Sequence, residues 1–337
     1  MMLFTSRSLG ILVGITVWCL CIPFDRTAQA LDDGARAYWK TMADTNVVSF
    51  QYLKFNVDST GSQVFDPSTG IYPNSETDLD LFVLTYGRQF SLFGQSAMIT
   101  GAIYGGDINA EFDGDPFNPQ SSTRFRQTAN GFGDPNVGLV VNLFGVPSID
   151  NFYDMANYEP SLTVDVATLL TIPIGQYKND KAVNIGQNRW YGRIALPVVA
   201  YFGSYAPLYR TSLEVTPSVW LYGKNDDYLG EELKNDPLYQ LEAHLTHDLT
   251  RTFFASLDFM WRKGFDSEIN GDDAGEKLDL KTLGFTVDYV INDNASLRFS
   301  YQSNFIDNDE LEADMLRIQF TYGWNELLEN VKVLEHH

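Results

Sequence analysis

Met315-Leu316-Arg317-Ile318-Gln319-Phe320-Thr321-Tyr322-Gly323-Trp324 decides how this chain is read. Leu316, Ile318, Phe320, Tyr322 and Trp324 share one parity, and Arg317, Gln319 and Thr321 share the other. Successive side chains of a β-strand point to opposite faces, so this segment has one apolar and one polar face. In a soluble sandwich the apolar face would be the core. An apolar face ending in aromatics, opposite a face that carries an arginine, suits a strand with lipid outside and water inside. One strand does not choose between these readings, and the rest of the chain is needed.

The two ends are set apart first. Arg7, the apolar run Ile11 to Phe24 and Ala28-Gln29-Ala30 make residues 1–30 a secretory signal peptide, too short in its apolar run to span a bilayer. A lipoprotein signal at Cys19 or Cys21 is the rival, disfavoured by bulky Trp18 and Leu20. Both cysteines leave with the signal, so no disulfide or thiol chemistry is expected. Leu334-Glu335-His336-His337 has the look of a tag remnant and is excluded from metal binding. Residues 31–46 carry Ala35, Tyr38, Trp39 and Met42 at helical spacing, read as a short helix, a plug folded into a lumen, or a frayed terminus. A tail, 325–333, follows the last strand.

The whole chain carries a formal charge of −21. Arg7, Arg26 and Asp25 take +1 with the signal, which leaves −22 on the mature chain. That acidity argues against nucleic acid as a partner. An aromatic content of 14% argues against disorder.

From Val47 to Trp324 the pattern predicts twelve strands, near 47–58, 77–90, 95–106, 133–145, 159–173, 187–203, 209–224, 236–248, 252–264, 278–291, 295–306 and 313–324. Phe253, Ala255, Leu257, Phe259 and Trp261 oppose Ser256, Asp258 and Arg262. Leu297, Phe299 and Tyr301 oppose Arg298, Ser300 and Gln302. At Thr282-Leu283 the apolar parity shifts by one, which reads as a β-bulge. Short connections near 91–94, 249–251 and 292–294 alternate with long acidic ones. The long connection at 145–158, where a short turn is due, departs from the scheme. Pro173, Pro197 and Pro217 are expected at rims, bulges or inward-folded pieces. The fold class expected is all-β: a transmembrane antiparallel up-and-down β-barrel of about twelve strands over 47–324, one domain, in the outer membrane of a Gram-negative cell. Closure satisfies every backbone group in hydrocarbon, and twelve strands enclose a narrow lumen.

The polar parity supplies the candidate lumen wall. Its constriction candidates are Arg189, Arg193, Arg210, Glu214, Glu242, Asp258, Arg262, Asp288, Arg298 and Arg317, with Lys54, Arg88, Asp78, Asp80 and Asp165 on the same predicted wall. Opposed charges across a narrow barrel select by size and polarity, or else they pair and fill the lumen; both readings stay open.

Three acidic loops, 225–236, 266–277 and 307–314, suit a mouth that enriches cations or meets lipopolysaccharide through divalent ions. Asp266, Glu268, Asn270 and Gly271 sit at the first positions of a calcium loop, but Lys277 stands where a bidentate glutamate belongs. His244 and His247, three apart on a strand, face opposite sides and cannot share one ion without a bulge. No metal, cofactor or catalytic residue is expected, and the sequence lacks G-x-S-x-G, H-E-x-x-H and a phosphate loop.

Gly131-Phe132-Gly133-Asp134-Pro135-Asn136-Val137-Gly138-Leu139 and Leu170-Thr171-Ile172-Pro173-Ile174-Gly175 resemble the "MetA-pathway of phenol degradation" family. The resemblance implies an outer-membrane channel of about twelve strands taking up small, often hydrophobic or aromatic molecules. Gly133, Asp134, Pro135, Pro173 and Gly175 match its motifs and are read as structural, shaping a rim and capping a turn. The expectation is therefore a porin-like, monomeric channel in lipid and lipopolysaccharide, passing a small-molecule substrate by diffusion. A barrel-form lipase or protease, and a closed structural or adhesive barrel, are the alternatives.

Overall fold

Alternating apolar residues form strands here because each strand buries one face and presents the other to hydrocarbon. The computed structural model describes residues 33–114, 124–203, 210–304 and 311–325. The stretch 1–30 expected to be a signal peptide, the tail beyond Asn325, and residues 305–310 of the third acidic loop lie outside the described residues.

The first half of the wall runs through β1 (Asn46–Asp58), β2 (Ser75–Leu92), β3 (Gln95–Phe112), β4 (Phe125–Phe132), β5 (Asn136–Phe144), β6 (Leu162–Thr171), β7 (Tyr191–Ala195) and β8 (Val198–Phe202). It continues with β9 (Thr211–Tyr222), β12 (Leu238–Asp248), β13 (Phe253–Gly264), β16 (Leu278–Asn292), β17 (Ala295–Asn304) and β18 (Glu312–Trp324). Both β4 and β5 pair with β3, and β7 and β8 each pair with both β6 and β9, at different heights. Each of these couples is one wall strand interrupted once, so the barrel has twelve walls. It closes where β1 meets β18 antiparallel, from Asn46 opposite Trp324 to Asp58 opposite Glu312. Four short strands, β10 (Asn225–Tyr228), β11 (Glu231–Asn235), β14 (Ser267–Ile269) and β15 (Asp272–Asp273), make a separate sheet from the acidic loops at the rim opposite the termini.

The short turns share a rim with the N-terminal segment and the end of β18. Phe93 and Gly94, with φ 53° and 80°, form the two-residue turn between β2 and β3, a conformation that matches strand twist. By the rule of short periplasmic turns this rim faces the periplasm. The 145–161 connection is the exception, and it holds a one-turn helix, α1 (Phe152–Ala156), capped by Asn151. Met155 and Ile149 of this connection pack on Met42, so it closes over the N-terminal segment.

Outward residues form the apolar band: Phe50, Phe82, Leu84, Ile103, Leu245 and Leu257 are exposed, as a lipid-facing surface requires. Two expectations are corrected. First, there is no bulge at Thr282-Leu283: β16 pairs with β13 in unbroken register from Leu278 to Tyr289. Leu278 and Leu280 simply face inward, like Thr282, Thr286 and Asp288 beyond them. The irregularity in β16 lies at Val290–Asn292 against β17. Second, Lys54, Asp78, Asp80 and Arg88 are on the outer face, not the lumen wall. Lys54 and Asp80 pair at 3.7 Å, and Arg88 pairs with Asp44 at 3.0 Å at the periplasmic rim. Their inward neighbours at the opposite end from Arg88 are Leu53, Phe55, Leu79 and Leu81, because that part of the lumen is apolar.

The reason is what fills it. Loop 59–74 folds inward and buries Val64, Phe65, Ile71 and Tyr72; the 172–190 connection does the same with Ala182, Val183 and Ile185. Inward strand residues on the extracellular side therefore meet apolar side chains rather than water, and burial of that area favours Leu and Phe there.

Candidate functional site

The lumen has two compartments of opposite chemistry. In the periplasmic one, the N-terminal segment 33–45 lies against the wall charges. The Asp33 and Arg36 backbone N–H groups donate to Glu242 (2.7 Å) and Glu214 (2.8 Å), and the Trp39 indole donates to Glu214 at 2.9 Å. Arg193 bridges Asp33 (2.6 Å) and Glu242 (2.7 Å). Arg36 pairs with Asp248 at 2.6 Å and stacks over Trp39 and Phe254. Lys40 pairs with Asp165 at 2.7 Å.

This segment is not a helix. Its early N–H groups are spent on lumen carboxylates, and Arg36 and Asp44 take left-handed φ values of 62°. What remains is a pair of tight turns, Ala37 to Gly34 and Trp39 to Arg36. Burial lowers the pKa of Arg36 and Asp248 works against that, so the buried charge rests on its carboxylate partner.

Glu214, Glu242, Asp258, Arg193, Asp288, Arg298 and Arg317 all lie buried on this polar wall, with Arg210 partly buried beside Asp248 at 3.6 Å. Arg298 bonds Asp288 at 3.1 Å. His244 bonds Asp258 through Nδ1 at 2.8 Å, and Asp258 also takes Ser256 and Thr286 hydroxyls. The Ser256 hydroxyl thus sits on the aspartate rather than on the histidine. His247 faces outward and meets Thr211. Loop 266–277 is a β-hairpin, and among the described residues no group of three or more metal-ligating side chains is gathered.

Arg189 and Arg262 stand apart from that network, on the extracellular side. There the wall and the inward loops surround a cavity of about 790 Å³ that is partly open to solvent. Phe55, Leu79, Leu81 and Ile108 line one side; Tyr191, Trp220, Gln240 and Arg262 line the other. Residues 67–70 and Asn184, Ile185 and Gln187 of the inward loops complete it. The space suits a few waters or one small, mostly apolar molecule. Burial raises the pKa of the Tyr72 hydroxyl in the loop beside it, keeping that group neutral.

Gly133, Asp134 and Pro135 lie where β4 parts from β5, at the height where β6 ends. Asp134 accepts the backbone N–H groups of Gly175 and Gln187, each at 2.7 Å, and so ties the wall to the loop that lines the cavity. Pro173 follows the end of β6. Gly133 lies so close to Tyr104 that a Cβ there would stand 2.0 Å from its ring. Gly175 packs on Gly133 in the same way. Outside this break a groove of lipid-facing residues, including Phe50, Phe82, Ile103 and Phe132, reaches Tyr104, which also lines the internal cavity.

Residues 58–320 match the model of the family described as "Putative MetA-pathway of phenol degradation". The chain belongs to that family. The same fold is found in the COG4313 outer membrane channel from Pseudomonas putida F1, at a TM-score of 0.66 and 13% identity, covering 85% of this chain and 98% of that one. A FadL homologue from Pseudomonas aeruginosa aligns at a TM-score of 0.43 and 9% identity, over 83% of this chain and 90% of its own. The NanC porin aligns at 0.41 and 8%, over 81% and 98%. No curated protein matches. With its closed barrel and apolar outer band, this family member is an outer-membrane β-barrel.

Sequence parity found the buried charges and the barrel. It missed the internal cavity, because Phe55 and Leu79 read as lipid-facing until the inward loops supply their partners. Loop residues Val64, Phe65, Ile71 and Tyr72 are the signal that could have revealed it: four apolar residues in a connection that should be wet.

Proposed function

We propose that this barrel is a non-enzymatic channel for passive uptake of small, largely apolar molecules across the outer membrane. The observation that carries the reading is the apolar wall that Phe55, Leu79, Ile108 and Trp220 give to the cavity beneath the inward loops. A pore for hydrophilic solutes would be lined by water-facing groups at that level. A diffusing apolar solute gains by leaving water for this cavity, and the gain is modest enough for it to leave again.

Two routes lead onward. One runs through the polar compartment and requires segment 33–45 to move from its carboxylates. The other crosses the wall at Tyr104 into the groove outside, where the β4–β5 break interrupts the ladder. The acidic hairpins at the opposite rim suit contact with lipopolysaccharide through divalent cations, around a single barrel acting alone.

The test is uptake by intact cells of radiolabelled monocyclic apolar solutes. Cells lacking the chain and supplied with it should differ in initial rate. Equal rates, with equal amounts of folded barrel in the membrane, refute the channel and leave a closed structural barrel. Lipase and protease assays of purified protein with His244→Ala beside it check the enzymatic alternative, for which no activity is expected.

A further inference from the structure

Ser68, Thr69, Asn184, Gln187 and Gln240 bring neutral polar groups to the cavity, and its one charged lining side chain is a cation. Arg262 reaches it from β13 and is 4% exposed. Its Nε and Nη1 are buried with no hydrogen-bond partner. Its nearest carboxylate is Asp66 on the inward loop, with Nη2 to Oδ2 at 3.8 Å, too long for a hydrogen bond. Asp66 is already occupied: its carboxylate takes the Ser68 N–H at 3.1 Å, the Ser68 hydroxyl, and the Thr69 hydroxyl at 2.7 Å. Gln240, a polar lining group on the same wall, is committed through its carbonyl to the Trp220 indole at 3.1 Å and through its amide to Glu242.

A buried guanidinium with unmet donors is costly, and the cost falls when an anion completes it. The Arg189 guanidinium lies over the Tyr222 ring at 4.9 Å, and Tyr222 lines the same cavity, so a second cation adds to the positive field there. The barrel wall beside it is hydrocarbon and aromatic at Phe55, Leu79, Leu81, Ile108 and Trp220, while Ser68, Thr69, Asn184 and Gln187 of the inward loops add only neutral polar groups.

Resting on the channel reading, we propose that the cavity is a binding site for a small amphipathic carboxylate, with Arg262 receiving the carboxylate and the apolar wall receiving the body. A planar carboxylate matches the guanidinium fork, and the charge-assisted bonds are strongest where water is excluded. Arg262 thus sets specificity: neutral apolar solutes enter the cavity, and their carboxylate analogues are retained. The acidic hairpins at the rim oppose entry of anions only weakly, since exposed charges are screened within about 8–10 Å at physiological ionic strength.

The experiment measures equilibrium binding of radiolabelled benzoate and toluene to the purified full chain in detergent, for wild type, Arg262→Gln and Asp66→Asn. Folding of each variant is checked by heat-modifiable gel mobility. Wild type should bind benzoate more tightly than toluene. Arg262→Gln should weaken benzoate by about 10- to 100-fold, the span expected for a hydrogen bond to a charged group, and leave toluene within about twofold. Asp66→Asn, which removes the facing negative charge and keeps one acceptor, should tighten benzoate. Benzoate affinity unchanged in both variants overturns the proposal, as does parallel loss of benzoate and toluene. If Arg262→Gln does not fold, Asp66→Asn alone decides: unchanged or weaker benzoate binding overturns it. The channel reading fails separately, through absent cellular uptake of neutral solutes while benzoate binding to purified protein persists.

Discussion

Lys40 Nζ lies 2.7 Å from Asp165 Oδ1, and both side chains are almost fully shielded from solvent inside the barrel. Removing one member of a buried pair leaves an uncompensated charge and costs about 3–5 kcal/mol. Asp165→Asn should therefore loosen segment 33–45, raising single-channel conductance in planar bilayers and exposing the segment to protease from the periplasmic side. Lys40→Met combined with Asp165→Asn should restore protection, since it removes the orphaned ammonium. Unaltered conductance and protection in Asp165→Asn would show that the pair does not hold the segment.

Leu257 points outward from the middle of β13 and is 68% exposed. Arginine on a lipid face costs about 2–4 kcal/mol at the bilayer midplane. Leu257→Arg should lower the unfolding free energy by that amount in lipid vesicles, as followed by denaturant titration. Ser256→Ala, one residue away but facing the lumen, should act instead through its lost bond to Asp258.

At Gly133 the limit is steric. Gly133→Val should force the Tyr104 ring aside and destabilise the barrel by about 1–3 kcal/mol, the range for overpacking. Tyr104→Ala in the same chain should recover most of that, because the ring is what a Cβ meets first. Thermal melts of the three variants give the coupling energy directly.

Asp134 accepts two backbone N–H groups from the loop that lines the cavity. Asn can accept only through its single carbonyl oxygen, which leaves one N–H unpaired at about 1–3 kcal/mol. Asp134→Asn should raise amide hydrogen exchange at 174–188 while strands β1 and β18 stay protected. Uniform exchange across the barrel would mean global rather than local loosening.

Much of this was legible in the chain, and for one reason. Lipid on the outside forces period-two alternation, so Phe320 against Gln319, or Leu257 against Asp258, reveals both the strand and its sidedness. The same logic failed at Tyr52-Leu53-Lys54-Phe55. There the inward face is apolar, because loops 59–74 and 172–190 fold in against it, and Lys54 is an outward charge paired with Asp80. Leu278 and Leu280 misled in the same way, mimicking a bulge when only the filling of the lumen had changed. Loop insertion carries no periodicity, so nothing local to a strand announces it. The charges Glu214, Glu242 and Arg193 were found by parity, whereas their partners in segment 33–45 were not, since those contacts join residues some 160–210 apart.

The most direct test is a crystal of the full chain soaked with a brominated monocyclic apolar solute, read by anomalous scattering. A bromine peak is expected inside the barrel between Phe55, Leu79 and Trp220. A peak confined to the outer lipid-facing surface, with the internal cavity holding only water, would contradict it.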